Sequence, residues 1–451
     1  MNDIIVAIST ALGKGAISIV RLSGEGSIKL VNSVFKGKNL EEVDSHTINY
    51  GHIIDNDEVI DEVLISVMKA PKTYTMEDVV EINCHGGIAA TNKILELMIL
   101  KGARLAEAGE FTKRAFLNGR IDLVEAEAVM DVINAKTETA RKGAINQLEG
   151  RLSSIIRKFR QNILELLANI EVNIDYPEYE DAEEVTIEMI KDRVAEMRRS
   201  LSEIVNESMN RKIIKEGINV AIVGSPNVGK SSILNKLLNE EKAIVTDIAG
   251  TTRDIVEGSI TLNGILLNFI DTAGIRDTDD VVEKFGVEKS IEQIEKADLV
   301  LFVLNNNKEL TEEEKTILEK IKNKKYIVVV NKKDLENKLN IANYNFENIV
   351  YTDTISVDGI EELKNKIISM FNLDEIEQNY CEIFTNMRQI TLAKESLSIL
   401  SDVEGGIALS VPVDMLEIDI KRIWEKLGEI LGENYSDELI DQLFSQFCLG
   451  K

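Results

Sequence analysis

The stretch INVAIVGSPNVGKS, residues 218–231, decides the fold of this part of the chain. A short apolar run ends at Gly224, a GxxxxGKS loop follows, and polar helix-forming sequence begins at Lys230. Strand, glycine-rich loop and helix in that order make a phosphate cradle. The glycines let backbone N–H groups wrap around oxygens, Lys230 brings a point charge to the β- and γ-phosphates, and the Ser231 hydroxyl reaches Mg²⁺. The nucleotide-facing set is Asn227, Val228, Gly229, Lys230, Ser231 and Ser232.

Two more motifs follow in the order a nucleotide site requires. Asp271-Thr272-Ala273-Gly274 closes an apolar strand, where Asp271 can hold Mg²⁺ through water and the Gly274 amide can meet the γ-phosphate. Asn331-Lys332-Lys333-Asp334 closes the strand YIVVV. A carboxylate at Asp334 accepts from guanine N1–H and the exocyclic amine. Adenine lacks that amine, and a carboxylate left unpaired against it is costly, so the expected ligand is GTP or GDP. Ser356, after IVYTDTI, sits where a further base-contacting loop belongs, with Val357 in place of the usual alanine. Between the first two motifs lies TDIAGTTRD, residues 246–254. A threonine in such a loop completes Mg²⁺ when a γ-phosphate is present, which makes a switch. Ile275 follows the DTAG segment where a Ras-like protein has glutamine, so another group must orient the attacking water.

Working outward, INVAIVG, LLNFID, DLVLFVL and YIVVVN are apolar strands alternating with polar helices. That pattern predicts the parallel sheet of an inserted Ras-like P-loop GTPase domain, assigned to residues 216–372. The flanks are helical. Leu152, Ile155, Phe159, Ile163, Leu166 and Ile170 predict one long amphipathic helix from Leu148, stopped at Tyr176-Pro177, with Glu178 to Glu184 as an exposed turn. A second helix is expected from Ile187 to Lys215, and Leu416, Ile420, Ile423, Leu427 and Leu431 mark a third. The reading is a discontinuous all-α domain, 119–215 and 373–451, interrupted by the nucleotide domain, an arrangement made easy by the closeness of domain ends. Residues 1–118 carry short β-rich runs around a helix at 90–103 and read as an N-terminal α/β domain.

Composition narrows the function classes. A chain of 451 residues suggests about three domains. Three cysteines (Cys84, Cys381, Cys448) and three histidines, widely spaced, argue against a disulfide framework or a zinc site. The N-terminal MNDIIVAIST lacks a leader pattern, and no apolar run of about 18 residues occurs, so a cytosolic protein without a membrane span is expected. A formal charge of −26 argues against tight nonspecific nucleic-acid binding. Arg104, Lys113, Arg114, Arg151, Arg157, Lys158 and Arg160 remain as candidates for a local RNA-facing patch, although basic residues on helices are usually solvated face.

Taken together, the segments closely resemble the MnmE (TrmE) family of tRNA-modification GTPases, nearly end to end. The resemblance rests on RLSG, TYT-ED-VEINCHGG, GEFTKRAFLNGRIDL-EAEAV, the TDIAGTTRD loop, DTAGIR and the terminal Cys448-Leu449-Gly450-Lys451. It implies a homodimer paired through a folate-binding-like N-terminal domain that takes 5,10-methylenetetrahydrofolate or a related folate. It implies G domains that dimerise with GTP, assisted by K⁺, and a flavoprotein partner, MnmG, carrying FAD in a heterotetramer-type complex. It further implies transfer of an aminomethyl or carboxymethylaminomethyl group to C5 of the wobble uridine of certain tRNAs. The basic surface for tRNA is expected to come largely from the partner.

Carried over residue by residue, the resemblance assigns K⁺ to Asn227, Thr246, Ile248 and Thr251, and Mg²⁺ to Ser231 and Thr252. Glu283 matches the glutamate that orients water through a bridging water, filling the gap left by Ile275. Arg21, Glu81, Arg120 and Lys451 match folate contacts, with Arg120 where some members carry lysine. Cys84 stands where a glycine is common, and His85 reads either as a strand-end hydrogen-bonding histidine or as a pocket residue. Cys448 matches a cysteine important for modification. Two other readings stand beside it: a ribosome-assembly GTPase switch without chemistry of its own, whose class shares the P-loop, DTAG and NKxD motifs, and an N-terminal region that is an independent one-carbon transferase merely regulated by the GTPase. Residues 1–118 and the terminal CLGK argue against the first, and removal of 216–372 would test the second.

Overall fold

The computed structural model describes residues 3–175, 187–240, 258–270, 286–341, 344, 346–356, 358–371 and 384–450. The chain forms two compact units. Residues 1–133, 146–201 and 391–451 make the first, and residues 134–145 and 202–390 the second.

Among the described residues the first unit holds a seven-stranded sheet. Its strands are β1 (Ile5–Ile8), β2 (Ile17–Ser23), β3 (Phe35–Lys36), β4 (Thr47–Asp55), β5 (Glu58–Met68), β6 (Val79–His85) and β7 (Arg104–Leu105), in the order β3-β4-β5-β6-β2-β1-β7. Inward residues alternate with outward ones. Val20, Leu22, Ile65, Val67, Val80 and Ile82 form a core with Ile94, Leu97 and Met98. Those last three lie on α2 (Ile88–Leu100), while α1 (Ser27–Asn32) packs near β6 and α3 (Glu110–Leu117) follows β7. The predicted strands are present and the helix expected at 90–103 runs over Ile88–Leu100, while β3, β4 and β7 are strands that the β-rich runs did not mark.

Helices α4 (Leu123–Asn134), α5 (Glu138–Leu148), α6 (Arg151–Asp175) and α7 (Ile187–Glu216) come next. The single helix expected from Leu148 is in fact broken. Gly150 adopts φ 75°, its N–H caps the Gln147 carbonyl, and a Cβ there would lie 2.7 Å from the Glu125 carboxylate. A left-handed glycine just past a helix end is a stop signal. The buried face of α6 is also rotated from the predicted seam. Ile156 is fully buried and Arg160 turns inward, whereas Ile155 and Phe159 are half-buried.

The second unit contains β8 (Ile218–Val223), α8 (Lys230–Glu240), β9 (Ser259–Leu262), β10 (Ile265–Phe269), α9 (Gly286–Lys296), β11 (Leu299–Asn305), α10 (Glu312–Ile321), β12 (Lys325–Asn331), β13 (Ile349–Tyr351) and α11 (Glu361–Met370). The strand order is β13-β12-β11-β8-β10-β9, parallel except for the β9–β10 hairpin. Every residue of β11 is buried because both faces are covered. Leu299, Leu301 and Val303 pack with α8 and α11 residues, while Val300, Phe302 and Leu304 pack with Ile294, Ile317 and Ile321. That period-2 division explains why such strands read as unbroken apolar runs. The chain leaves β8 between β10 and β11, the point where strand order reverses and ligands bind in such sheets.

The chain returns to the first unit in α12 (Met387–Ala408), α13 (Val413–Leu431) and α14 (Asp437–Phe444). The predicted face of α13 is buried at Leu416, Ile420, Ile423, Leu427 and Leu431, and α13 packs along α6. Arg160 of α6 lies 4.2 Å above the Trp424 ring and donates to the Trp424 carbonyl.

Candidate functional site

The phosphate loop between β8 and α8 is shaped by left-handed backbone at Gly224 (φ 150°), Asn227 (φ 63°) and Gly229 (φ 102°). A methyl group on Gly224 would strike the Val303 carbonyl, and one on Gly229 the Asn331 amide nitrogen. The loop is therefore wedged between β11 and the end of β12. Lys230 Nζ donates to the Gly224 and Ser225 carbonyls at 2.7 and 2.9 Å, which arches its ammonium across the loop.

The base-reading segment is tied to that loop. Asn331 is 1% exposed, its Nδ2 donates to the Val228 carbonyl at 2.9 Å, and its Oδ1 accepts from Thr352 Oγ1 at 3.2 Å. Lys332 Nζ donates to the Asn227 carbonyl at 2.9 Å. Both side chains thus hold backbone rather than standing open for the base, while Lys333 and Asp334 are the exposed groups of the motif. Asp334 lines a cavity of about 530 Å³ with Lys333, Tyr351, Asp353, Ser356 and Gly359.

Ser356 belongs to a tight turn that sequence reasoning did not resolve. Asp353 Oδ1 accepts the Ile355 N–H at 2.8 Å and the Ser356 N–H at 3.4 Å, bonds that hold its carboxyl below the usual carboxylate range. The Asp353 N–H donates to the Gly359 carbonyl, and Lys236 Nζ donates to the Ser356 carbonyl. The signal was an aspartate two residues before the loop tip, a common turn builder. The predicted residues Thr246, Ile248, Thr251, Thr252, Asp271, Thr272, Ala273, Gly274, Glu283 and Lys451 lie outside the described residues. The donors in place, the Ser231 hydroxyl and the Asn227 amide, are hard oxygen ligands of the kind Mg²⁺ and K⁺ take.

In the first unit the predicted residues fall around one aromatic pair. Arg21 and Glu81 are register partners across β2 and β6, with Arg21 Nε 2.9 Å from Glu81 Oε1. The Arg21 guanidinium lies 5.7 Å from the Phe111 ring. Arg120 lies 4.8 Å above the Tyr74 ring and donates to the Tyr74 carbonyl at 3.2 Å. Tyr74 packs against the cluster containing Phe111, and it lines a cavity of about 460 Å³ with Met68, Lys72, Met76 and Arg120. Phe111 and Tyr74 were not singled out from sequence, because an aromatic that backs an arginine has the same local pattern as one in a core.

Cys84 is buried, with its thiol donating to the Ser18 carbonyl at 3.4 Å, and burial pushes that thiol up. His85 proves to be tied at its strand end. Its N–H donates to Asp61 Oδ2, and its Nδ1 lies 2.7 Å from Asp61 Oδ1, a hydrogen bond that raises the imidazole above its usual value. Cys448 is exposed.

The candidate RNA-facing arginines and lysines are mostly engaged elsewhere. Arg114 is 1% exposed and meets Asp3, Glu77 and Glu110. Arg104 pairs with Asp3 and Glu110, Lys113 with Asp441, and Arg160 with Glu433. Arg157 and Arg151 are half-exposed and pair with Asp122 and Glu149. Arg114 and Arg160 are thereby excluded as surface contacts, because buried charge requires fixed partners.

Two family descriptions match the chain: the GTP-binding protein TrmE N-terminus over residues 4–120 and the MnmE helical domain over residues 123–448. The tRNA modification GTPase MnmE of Streptococcus thermophilus (strain CNRZ 1066) is 54% identical over 451 residues, spanning 100% of this chain and 98% of the relative. The proteins of the same name from Ligilactobacillus salivarius (strain UCC118) and Staphylococcus aureus (strain MSSA476) are 53% and 52% identical, again over 100% of this chain and 98% and 99% of theirs.

Proposed function

The chain belongs to the MnmE (TrmE) family of tRNA modification GTPases, and on that premise we propose that it is a K⁺-stimulated GTP hydrolase driving wobble-uridine modification. The observation that carries the GTPase half is the fixed geometry of the nucleotide unit. Asn331 and Lys332 lock the base loop to the phosphate loop, so a guanine held by Asp334 sets where the phosphates lie against Gly229, Lys230 and Ser231. Ser231 and Thr252 would hold Mg²⁺, and Asn227, Thr246, Ile248 and Thr251 would hold K⁺. When bound, K⁺ supplies positive charge near the β–γ bridge, the role an arginine finger plays in other GTPases. Glu283 orients the attacking water through a bridging water.

The modification half is assigned to the first unit. Arg21, Glu81, Arg120 and Lys451 hold a folate such as 5,10-methylenetetrahydrofolate, whose chemistry is one-carbon donation, and Cys448 acts in the transfer. The paired guanidinium and carboxylate on a ring face support this reading, since a pterin and a glutamyl tail present both polar edges and flat apolar surface. The working assembly is a cytoplasmic homodimer joined through residues 1–118, in a heterotetramer-type complex with the FAD-carrying MnmG. The product is an aminomethyl or carboxymethylaminomethyl group on C5 of the wobble uridine of certain tRNAs. Engagement of Arg104, Lys113, Arg114 and Arg160 in internal ion pairs supports a tRNA surface supplied largely by the partner.

Nucleoside mass spectrometry of bulk tRNA from cells lacking the protein tests the proposal. Loss of an aminomethyl-type wobble uridine is expected, restored by wild type but not by Asp334→Ala, Glu283→Ala or Cys448→Ser. Unchanged tRNA with defective ribosomal subunits would instead support the assembly-switch reading.

A further inference from the structure

The segment that carries Cys448 is fastened to the N-terminal sheet through Ser9, Arg21, Ala108 and Gly109. Leu449 forms an antiparallel bridge with Ala108, and the Gly109 N–H donates to the Cys448 carbonyl at 3.2 Å. The Gly450 carbonyl then accepts two bonds, from Ser9 Oγ at 3.1 Å and from Arg21 Nη1 at 3.1 Å. A carbonyl oxygen has two lone pairs, so this pair of donors saturates it. Arg21 is itself oriented by Glu81 at 2.9 Å.

Steric fit makes the attachment selective. Gly450 has φ 83°, and a Cβ on it would lie 2.5 Å from the Ile8 carbonyl. Gly109 has φ 69°, and a Cβ there would lie 2.5 Å from the Phe444 carbonyl and 2.7 Å from Phe447 Cβ. Upstream, the Phe444 and Phe447 rings pack at a tilt with centroids 4.9 Å apart, and Phe444 packs 6.0 Å from Phe116. The tail is thus anchored by rings on one side of Cys448 and by a doubly bonded carbonyl on the other.

We propose that Ser9 and Arg21 are positioning residues that clasp the Gly450 carbonyl and thereby hold the Cys448 thiol for the modification step. The thiol's part in that step rests on the function proposed above. The clasp does not: it is a statement about where the tail docks and what holds it. Arg21 serves two ends at once, so whatever engages Arg21 or Glu81 acts on the tail through a single guanidinium.

The test uses the full chain and reads two things: hydrogen exchange of the C-terminal peptide by mass spectrometry, and tRNA modification in the complementation assay. Gly450→Ala keeps Ser9, Arg21, Glu81 and Cys448 but cannot seat against Ile8. It should speed exchange across residues 445–450 by about tenfold or more, the factor for losing roughly one to two hydrogen bonds, and it should lower modification. Ser9→Ala should give a smaller shift of the same kind. Arg21→Ala should match Gly450→Ala in exchange, with Arg21→Lys recovering part of the protection. Unchanged tail exchange in both Gly450→Ala and Arg21→Ala would overturn the clasp, and a freed tail with full modification would overturn its role in holding the thiol for the modification step. Failure of the thiol reading looks different: Cys448→Ser would modify tRNA at the wild-type level with its tail still protected.

Discussion

The two units hold charged ligand groups in opposite ways. In the nucleotide unit the candidate phosphate ligands are backbone amides of one short loop together with its Lys230 ammonium, and side chains from elsewhere, Asn331 and Lys332, fix that loop in place. In the first unit the candidates are side chains, Arg21, Glu81 and Arg120, taken from distant parts of the chain and fixed by one another, by ring faces and by the tail. A site made of backbone demands a contiguous run of special residues. A site made of side chains can be scattered, and its supports look like ordinary core.

The largest expected break of this comparison is Asp334→Ala. On the proposed reading it removes two charge-assisted hydrogen bonds to guanine, each worth about 1.5–3 kcal/mol, so GDP affinity should fall about 10²–10⁴-fold in a fluorescence titration. A fall of less than tenfold would mean that base selection lies elsewhere. Next is Arg114→Met, which strands Asp3, Glu77 and Glu110 without their central cation. A loss of about 3–5 kcal/mol is expected in denaturant unfolding. Trp424, the sole tryptophan, lies in the first unit and reports the transition. A stable variant with weakened tRNA binding would return Arg114 to the RNA-facing set.

Asn331→Ala sharpens the comparison from the other side. It leaves the Val228 carbonyl and the Thr352 hydroxyl without their partner, at about 1–3 kcal/mol, and should loosen GDP while leaving the Trp424 transition in place.

Acid should separate the units as well. Burial would raise the Asp3 and Glu110 carboxyls, yet hydrogen bonds from Arg104 and Arg114 hold both below their ordinary values. A folded pKa below the unfolded one stabilises fully above the unfolded value, about 4, and is lost as pH falls through the folded value. The Trp424 transition should therefore be insensitive to these groups near neutrality and weaken below about pH 4, less so in Arg104→Gln. The smallest effect is expected for exposed Lys158→Ala, within about 0.5 kcal/mol.

Legibility followed the same division. The phosphate loop, the strands on either side of it and Asp334 could be read directly, because strand, glycines and helix sit in consecutive positions. Unbroken burial of β11 on both faces explains why its strand was plain as a continuous apolar run. The break at Gly150 was missed because the apolar spacing continues through it, and only the left-handed backbone beside Glu125 ends the helix. The rotated face of α6 was missed because Arg160 buries a charge that a hydrophobic pattern counts as surface, with Trp424 and Glu433 as the reason. The Asp353 turn and the Ser9 contact depend on pairings between residues that share no motif.

The Ser9–Gly450 hydrogen bond also sets an order of events during synthesis. Its partners are 441 positions apart. At about 5–20 residues per second, roughly 20 to 90 seconds separate their emergence from the ribosome. The nucleotide unit draws on residues 134–145 and 202–390 and can close on itself before that time. The unit that starts first therefore finishes last, with the Ala108–Leu449 pairing among its final contacts. Until then its nascent sheet is the part of the molecule that most needs shelter from wrong strand partners.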